Sequence, residues 1–333
     1  MKKIFIILVI GGVVLGLIGI SQAKPTDQLT KPIPASDIKI FKKIPVSDEI
    51  TKGKPSSPPG GGKVYSGAAT GVLGDWATGN KYAVVIGICD YPGTDYDLCS
   101  SDGDSYNMYN ALTGLYGYLP ANIYWYRDMG GDPDNYGVDG VPTRQNIINA
   151  IKSIRAGVTV NDEVVFFFSG HGANGRVDDI GNEDVDEAIV VHDDDGLMDA
   201  DGSAELDLIW DEELRILFSG FLTSRIVFVF DSCLAGGMND VAGTGRVVAM
   251  AAEETKSAYV YSTGELGEGV FSHYFVKEGM LLGLADGTNA LKTSDETVAV
   301  EEAFDYAKAH IPPYLKSRQK PVISDNFIND LPL

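Results

Sequence analysis

Cysteine is scarce. The chain of 333 residues has three, Cys89, Cys99 and Cys233. None of its four histidines stands at a zinc-type spacing from them, which discounts a zinc centre. Basic residues are also few: 26 Lys and Arg face 47 Asp and Glu, for a formal net charge of -21. A field of that sign repels phosphate and argues against nucleic acid as a partner. It suits basic substrates, bound cations or a well-solvated acidic surface. No internal repeat is present, and no stretch fits the 12-residue EF-hand loop, in which fixed oxygen ligands recur. Apolar content of 44% and charged content of 22% are ordinary for a globular protein of one large or two small domains.

One long apolar run exists, "IFIILVIGGVVLGLIGI", from Ile4 to Ile20. Lys2 and Lys3 precede it, and Ser21 and Ala23 supply small residues after it. That order is a secretory signal. Cleavage after Ala23 and retention as an N-terminal membrane anchor both fit a run of this length, and both put residues 24–333 outside the cytosol. Disulfides are permitted there. Cys89 and Cys99 are close enough in sequence to pair, which leaves Cys233 as an odd cysteine, either a reactive thiol or one half of an intermolecular bridge.

Residues 24–78 begin with a stretch rich in Pro, Lys, Ser and Thr that ends in "KPSSPPGGGK", and are expected to be a flexible linker or removable pro-segment. Lys52, Lys54 and Lys63 make self-cleavage there an open expectation. From residue 79 onward the pattern is that of a folded domain. Six apolar runs, "YAVVIGI" (82–88), "NIYWY" (122–126), "EVVFFFS" (163–169), "EAIVVH" (187–192), "RIVFVF" (225–230) and "SAYVYS" (257–262), lack clean alternation, as strands buried on both faces do. Helical patterns lie between and after them, including "TRQNIINAIKSI" with Thr143 as N-cap and "WDEELRILFSGF" with acids in its first turn. Alternating strands and helices predict an α/β sandwich: a mostly parallel six-stranded sheet with helices on both faces.

In such a sheet functional side chains gather beyond the carboxyl ends of the strands. Two ends stand out. "FFFSGHG" puts His171 between two glycines, and "VFDSCLAGG" puts Cys233 just past an apolar run. A thiol becomes a strong nucleophile as thiolate, and an imidazole beside it supplies the base. The amides of Gly172 and Cys233 are suited to holding a tetrahedral oxyanion.

"VVFFFSGHG" and "VFVFDSC" resemble the two catalytic motifs of the caspase-like cysteine peptidases, most closely the metacaspase and prokaryotic caspase-homologue branch. "YAVVIGICDYPGTDYDLCSSDGDSYNMYNAL", "DEAIVVHD", "GEGVFSHYFVKEGMLLGLADG" and "QKPVISDN" extend the resemblance in order over roughly residues 80–328. It implies a three-layer caspase-like sandwich, a His171–Cys233 dyad acting through a thioester, and no cofactor needed for the chemistry. It implies an acidic pocket that selects Arg or Lys before the cleaved bond, with Asp104, Asp231 and Ser169 at the matching positions and Ser101 where relatives commonly have Cys. The turn after the nucleophile also departs, with Leu234-Ala235 in place of an aromatic or His and then Ser. A calcium site is implied at Asp186, Asp211, Glu212 and Asp240. "GGDPDNYGVDG" (130–140) is a second oxygen-rich stretch without motif support, and His192, His273 and His310 lack it as well.

The reading is a secreted or membrane-tethered cysteine endopeptidase that cuts proteins or peptides after Arg or Lys. Two rivals stand beside it. One is a calcium-binding module of the same fold without activity. The other is a cysteine-dependent transpeptidase or other hydrolase, which shares the acyl-enzyme.

Overall fold

Strand membership follows from which apolar runs find partners on both sides. The computed structural model describes residues 36–46, 69–91, 97–128, 139–176, 185–192, 206–261 and 268–333. The apolar run at the N-terminus, the lysines at 52, 54 and 63, most of the acidic run between His171 and the next helix, and nearly all of 130–140 lie outside them. Among the described residues no helix is long and apolar enough to cross a membrane.

The strands in chain order are β1 (Ser36–Phe41), β2 (Ile44–Pro45), β3 (Lys81–Gly87), β4 (Ile123–Arg127), β5 (Glu163–Ser169), β6 (Gly172–Arg176), β7 (Asp186–His192), β8 (Leu206–Trp210), β9 (Ile226–Asp231), β10 (Arg246–Met250), β11 (Tyr259–Val260) and β12 (Val322–Asp325). The central sheet has six strands in the order β12-β10-β9-β5-β3-β4. All its pairings are parallel except that of β12 with β10. The helices are α1 (Cys99–Gly114), α2 (Arg144–Gly157), α3 (Asp211–Ser219), α4, which starts at Val270–Ser272 and continues as a π-helical stretch His273–Leu281, and α5 (Val300–His310).

The period-2 alternation of the strands divides the core into two layers. Val165, Phe167, Val227 and Val229 face one way, clustering with Met108 and Leu112 of α1 and with Phe271, Phe275 and Phe304. On the other face Phe166 and Phe228 meet Phe218 of α3 edge-on, at 5.7 and 4.7 Å between ring centroids. Each phenylalanine so buried contributes about 1.5–3 kcal/mol. Sheet and helices thus form the expected three-layer α/β sandwich, with Cys89 and Cys99 joined as a disulfide between the end of β3 and the start of α1.

Two of the six expected strands belong elsewhere. "EAIVVH" is β7 of a second, antiparallel sheet, β1-β6-β7-β8. "SAYVYS" yields only the short β11, paired with β2. Their places in the central sheet are taken by β10 and β12. Burial on both faces makes β7 as continuously apolar as a central strand, so its composition does not say which sheet it joins.

The stretch 24–78, expected as a flexible linker, also differs. Ser36–Phe41 pairs with β6 and Ile44–Pro45 with β11. Ala69 to Gly71 are tied down by Asp305 and Asp330. Backbone hydrogen bonds hold these residues, and such bonds leave no hydrophobic period in the sequence.

Thr143 caps α2 as expected, accepting the Asn146 N–H at 3.2 Å. Replacing Thr143 with Ala should lower the unfolding free energy by about 1 kcal/mol in urea denaturation, and Thr143→Ser should restore most of it.

Candidate active site

β5 and β9 are neighbours, with Ser169 directly opposite Asp231. The chain therefore leaves both strands at one edge, and Gly170 donates its N–H to the Asp231 carbonyl at 3.2 Å. Two residues further on, His171 and Cys233 stand on adjoining turns. The turns touch so closely that a Cβ at Gly172 would run into the Cys233 carbonyl. That contact accounts for the glycine after the histidine.

Cys233 is buried, 1% exposed. Its Sγ accepts the Ala258 N–H at 3.2 Å and donates to the Lys42 carbonyl at 3.3 Å. Burial pushes the thiol up to about 11, against the lowering effects of the Ala258 amide and the Lys43 charge. Leu234, next in the chain, has φ 58° and ψ 16°, a left-handed conformation rare for a side chain with a branched Cγ. That strain, on the order of 1 kcal/mol, turns the chain sharply away and leaves Cys233 at the apex.

His171 is held by a residue the sequence reading did not single out. The Tyr91 hydroxyl accepts the His171 N–H at 2.9 Å and donates to the Val190 carbonyl at 3.1 Å. Its ring stacks on the imidazole, with centroids 4.6 Å apart. His192 Nε2 lies 2.6 Å from Asp128 Oδ2. The His192 ring also stacks on Tyr91, with centroids 6.1 Å apart. Tyr91 lies in "CDYPG", where it reads as a loop residue, and only the fold brings it under the histidine.

Below the two turns lies a buried acidic pocket. Asp104 of α1 accepts the Ser169 hydroxyl at 2.7 Å and the Gly269 N–H at 3.0 Å. Asp231 Oδ2 accepts the Ser272 N–H at 3.0 Å and the Ser272 hydroxyl at 2.6 Å. Both donors come from the start of α4, where exposed amides favour anions. A Cβ at Gly269 would strike both carboxylates, so only glycine fits. Burial raises Asp104 to about 7; Lys43 opposes this, Asp231 adds to it, and the Ser169 and Gly269 hydrogen bonds hold it down.

Asp104, Ser169 and Asp231 thus meet as expected. Ser101 is buried one turn earlier on α1, its hydroxyl without a hydrogen-bond partner among the described residues. A cation that no sequence motif marks shares the pocket. Lys43 Nζ lies 2.9 Å from Asp231 Oδ1, 2.9 Å from Ser169 Oγ and 3.8 Å from Asp104 Oδ2.

The expected calcium ligands gather apart from this pocket. Carboxylate oxygens of Asp186, Asp211 and Glu212 lie within 4.8 Å of one another. Burial holds the Asp211 carboxyl well above its usual range, and Glu212, Asp240 and Glu187 push it further. Glu187 was not foreseen. Its carboxylate packs so tightly under Gly237 that a Cβ there would strike it, which connects the cluster to the loop after Cys233.

A mostly parallel α/β sandwich with a cysteine and a histidine at adjoining strand ends, over an acidic pocket, is what the resemblance to the caspase-like peptidases implies. Residues 81–242 match the family model described as metacaspase, peptidase C14 domain. Metacaspase-1 of Kluyveromyces lactis is 31% identical over 165 residues, covering 49% of this chain and 35% of that one. Metacaspase-1 of Yarrowia lipolytica is 32% identical over 165 residues, covering 49% and 33%. Metacaspase-1 of Pyricularia oryzae is 28% identical over 236 residues, covering 69% and 50%. The chain thus spans a third to a half of the length of these relatives.

Tyr91→Phe leaves the His171 N–H without its acceptor in a buried place. It should lower the unfolding free energy by about 1–3 kcal/mol, measured by chemical denaturation, while the stacked ring keeps the fold.

Proposed function

We propose that the protein is a cysteine endopeptidase that cleaves after Arg or Lys outside the cytosol, with His171 and Cys233 as its dyad. The observation that carries the reading is the pocket: two buried carboxylates, Asp104 and Asp231, directly beneath the thiol-bearing turn, with a lysine ammonium between them. A buried carboxylate pair is costly until a cation enters. A basic side chain at that point fixes the following carbonyl near the thiol.

In the reaction, His171 takes the thiol proton and the Cys233 sulfur attacks the carbonyl carbon of the substrate. The N–H groups of Gly172 and Cys233 hold the oxyanion of the tetrahedral intermediate. His171 then protonates the departing amine as the C–N bond breaks, leaving a thioester. A water molecule, deprotonated by His171, hydrolyses the thioester and restores the thiol. No cofactor enters these steps.

Calcium is proposed at Asp186, Asp211 and Glu212, with Asp240 completing the set. The donors fit: all are carboxylate oxygens, the preference of a hard divalent cation, and they are close enough to repel one another without one. Bound there, the ion would brace the loop that follows Cys233. The signal segment supports secretion or tethering at the membrane, and a peptidase for basic sites needs no nucleic acid partner.

Fluorogenic peptides ending in Arg, Lys or Asp test the reading on the chain carrying Lys43→Gln, which takes the chain's own ammonium out of the pocket, against the same chain with Cys233→Ala added. Arg and Lys peptides should be turned over and the Asp peptide should not. Equal signal with and without Cys233 would remove the enzyme reading, and turnover only after Asp would remove the pocket assignment. Because Asp104 gains its charge above about pH 7, the KM for an Arg peptide should fall as pH rises through that value, measured between pH 6 and 8. Calcium should raise the melting temperature of wild type and leave Asp211→Asn unmoved. No calcium shift in wild type would remove the metal site.

A further inference from the structure

The lysine in the acidic pocket comes from the segment that precedes the domain. β1 runs antiparallel to β6, with Ile40 opposite Ala173 and Phe41 opposite Gly172. β2 runs parallel to β11, and Ile44 and Val46 donate their N–H groups to the carbonyls of Ala258 and Val260 at 3.0 and 2.9 Å. Between these anchors Lys42 and Lys43 cross the site. The Lys43 side chain is 0% exposed. The peptide group joining the two lysines lies between the thiol and the imidazole: Cys233 Sγ donates to the Lys42 carbonyl and the Lys43 N–H donates to His171 Nδ1, each at 3.3 Å.

We propose that Ser36–Val46 is a built-in pseudosubstrate that keeps the enzyme latent. Lys43 fills the pocket meant for a substrate's basic side chain, and the Lys42–Lys43 peptide group parts the thiol from its base. The inference rests on the pocket reading given above.

Three features make the segment an inhibitor and not a substrate. A scissile bond lies on the carboxyl side of the residue in the pocket, yet the carbonyl at the thiol is that of Lys42, on the amino side. The thiol proton is directed to that carbonyl oxygen, and the Nδ1 lone pair that would accept a proton is taken by an amide. Finally, the register is fixed by ladder bonds on both flanks. A slip of one residue would bring the Lys43 carbonyl forward but would turn the lysine side chain to the opposite face, out of the pocket. Latency is therefore relieved when the segment leaves, and not by its sliding.

The test uses the full chain with Lys43→Glu, Lys43→Gln and Lys43→Arg, read by the rate at which iodoacetamide alkylates Cys233. That rate needs no turnover. The Glu and Gln variants, folded as judged by melting, should alkylate at least about tenfold faster than wild type, while the Arg variant should remain slow. A synthetic peptide with the sequence of residues 36–46 should slow the Glu variant again, and the same peptide carrying Lys43→Glu should not. Unchanged alkylation in both the Glu and the Gln variant would overturn the inference. So would mass spectra showing that the wild-type chain cuts itself between Lys43 and Ile44. Faster alkylation without hydrolysis of an Arg peptide would support the latch and count against the peptidase reading.

Discussion

Two carboxylates buried side by side set the terms for the rest of this site. Asp104 arrives on a helix and Asp231 at the end of a central strand, and both are buried away from the surface. Each must be met by donors, and the surrounding sequence is organised to provide them. Ser169 lies opposite Asp231 in the sheet and turns its hydroxyl to Asp104. The start of α4 brings the Gly269 amide and both donors of Ser272. These hydrogen bonds reduce the cost of burial, but a net negative charge remains in a place of low dielectric, where a cation is bound far more strongly than at the surface. That physics draws in a lysine from the chain itself, and it underlies the proposed selection of a basic substrate residue.

The consequences reach the chemistry one layer above. With the pocket filled, the thiol is sealed from solvent and burial keeps it protonated, while an amide separates it from the imidazole. In the proposed dyad the thiol and the imidazole therefore do not address each other. The rigid part of the site does not depend on this arrangement. Tyr91 clamps the backbone of His171, and the strained turn at Leu234 fixes Cys233. The frame of the proposed dyad is thus set by the sandwich, and in the proposed latch it is the occupant of the pocket that stands between that frame and reactivity. The acidic cluster under the loop after Cys233 lies apart from the pocket and bears on the same loop through Glu187 and Gly237.

Much of this was legible in the residues. Apolar runs ending in "SGHG" and "DSC" identify strands whose carboxyl ends carry chemistry, and the fold places those strands side by side. Thr143 and the acids opening α3 announce their helices. Sheet membership was less legible, because β7, buried on both faces, has the composition of a central strand while lying in another sheet. Tyr91 and Gly269 reach the site through tertiary packing and have no local pattern to mark them. The segment around Lys43 was read with its Pro- and Ser-rich neighbours as a linker. Its attachment rests on backbone hydrogen bonds and one ammonium, and neither needs an amphipathic period. In retrospect Ile38, Ile40, Ile44 and Val46 flanking a lysine pair were the available signal.

The central claim is that Cys233 acts on carbonyl substrates chosen by the charge of the pocket below it. Intact-mass analysis of the chain carrying Lys43→Gln, after treatment with a peptidyl-arginine chloromethyl ketone, addresses it directly, with the aspartyl analogue as comparison. The account predicts a single adduct from the arginyl reagent, mapped to Cys233, absent from Cys233→Ala and strongly reduced in Asp231→Asn, with little from the aspartyl reagent. Equal labelling by both reagents, or an adduct at another residue, would contradict it.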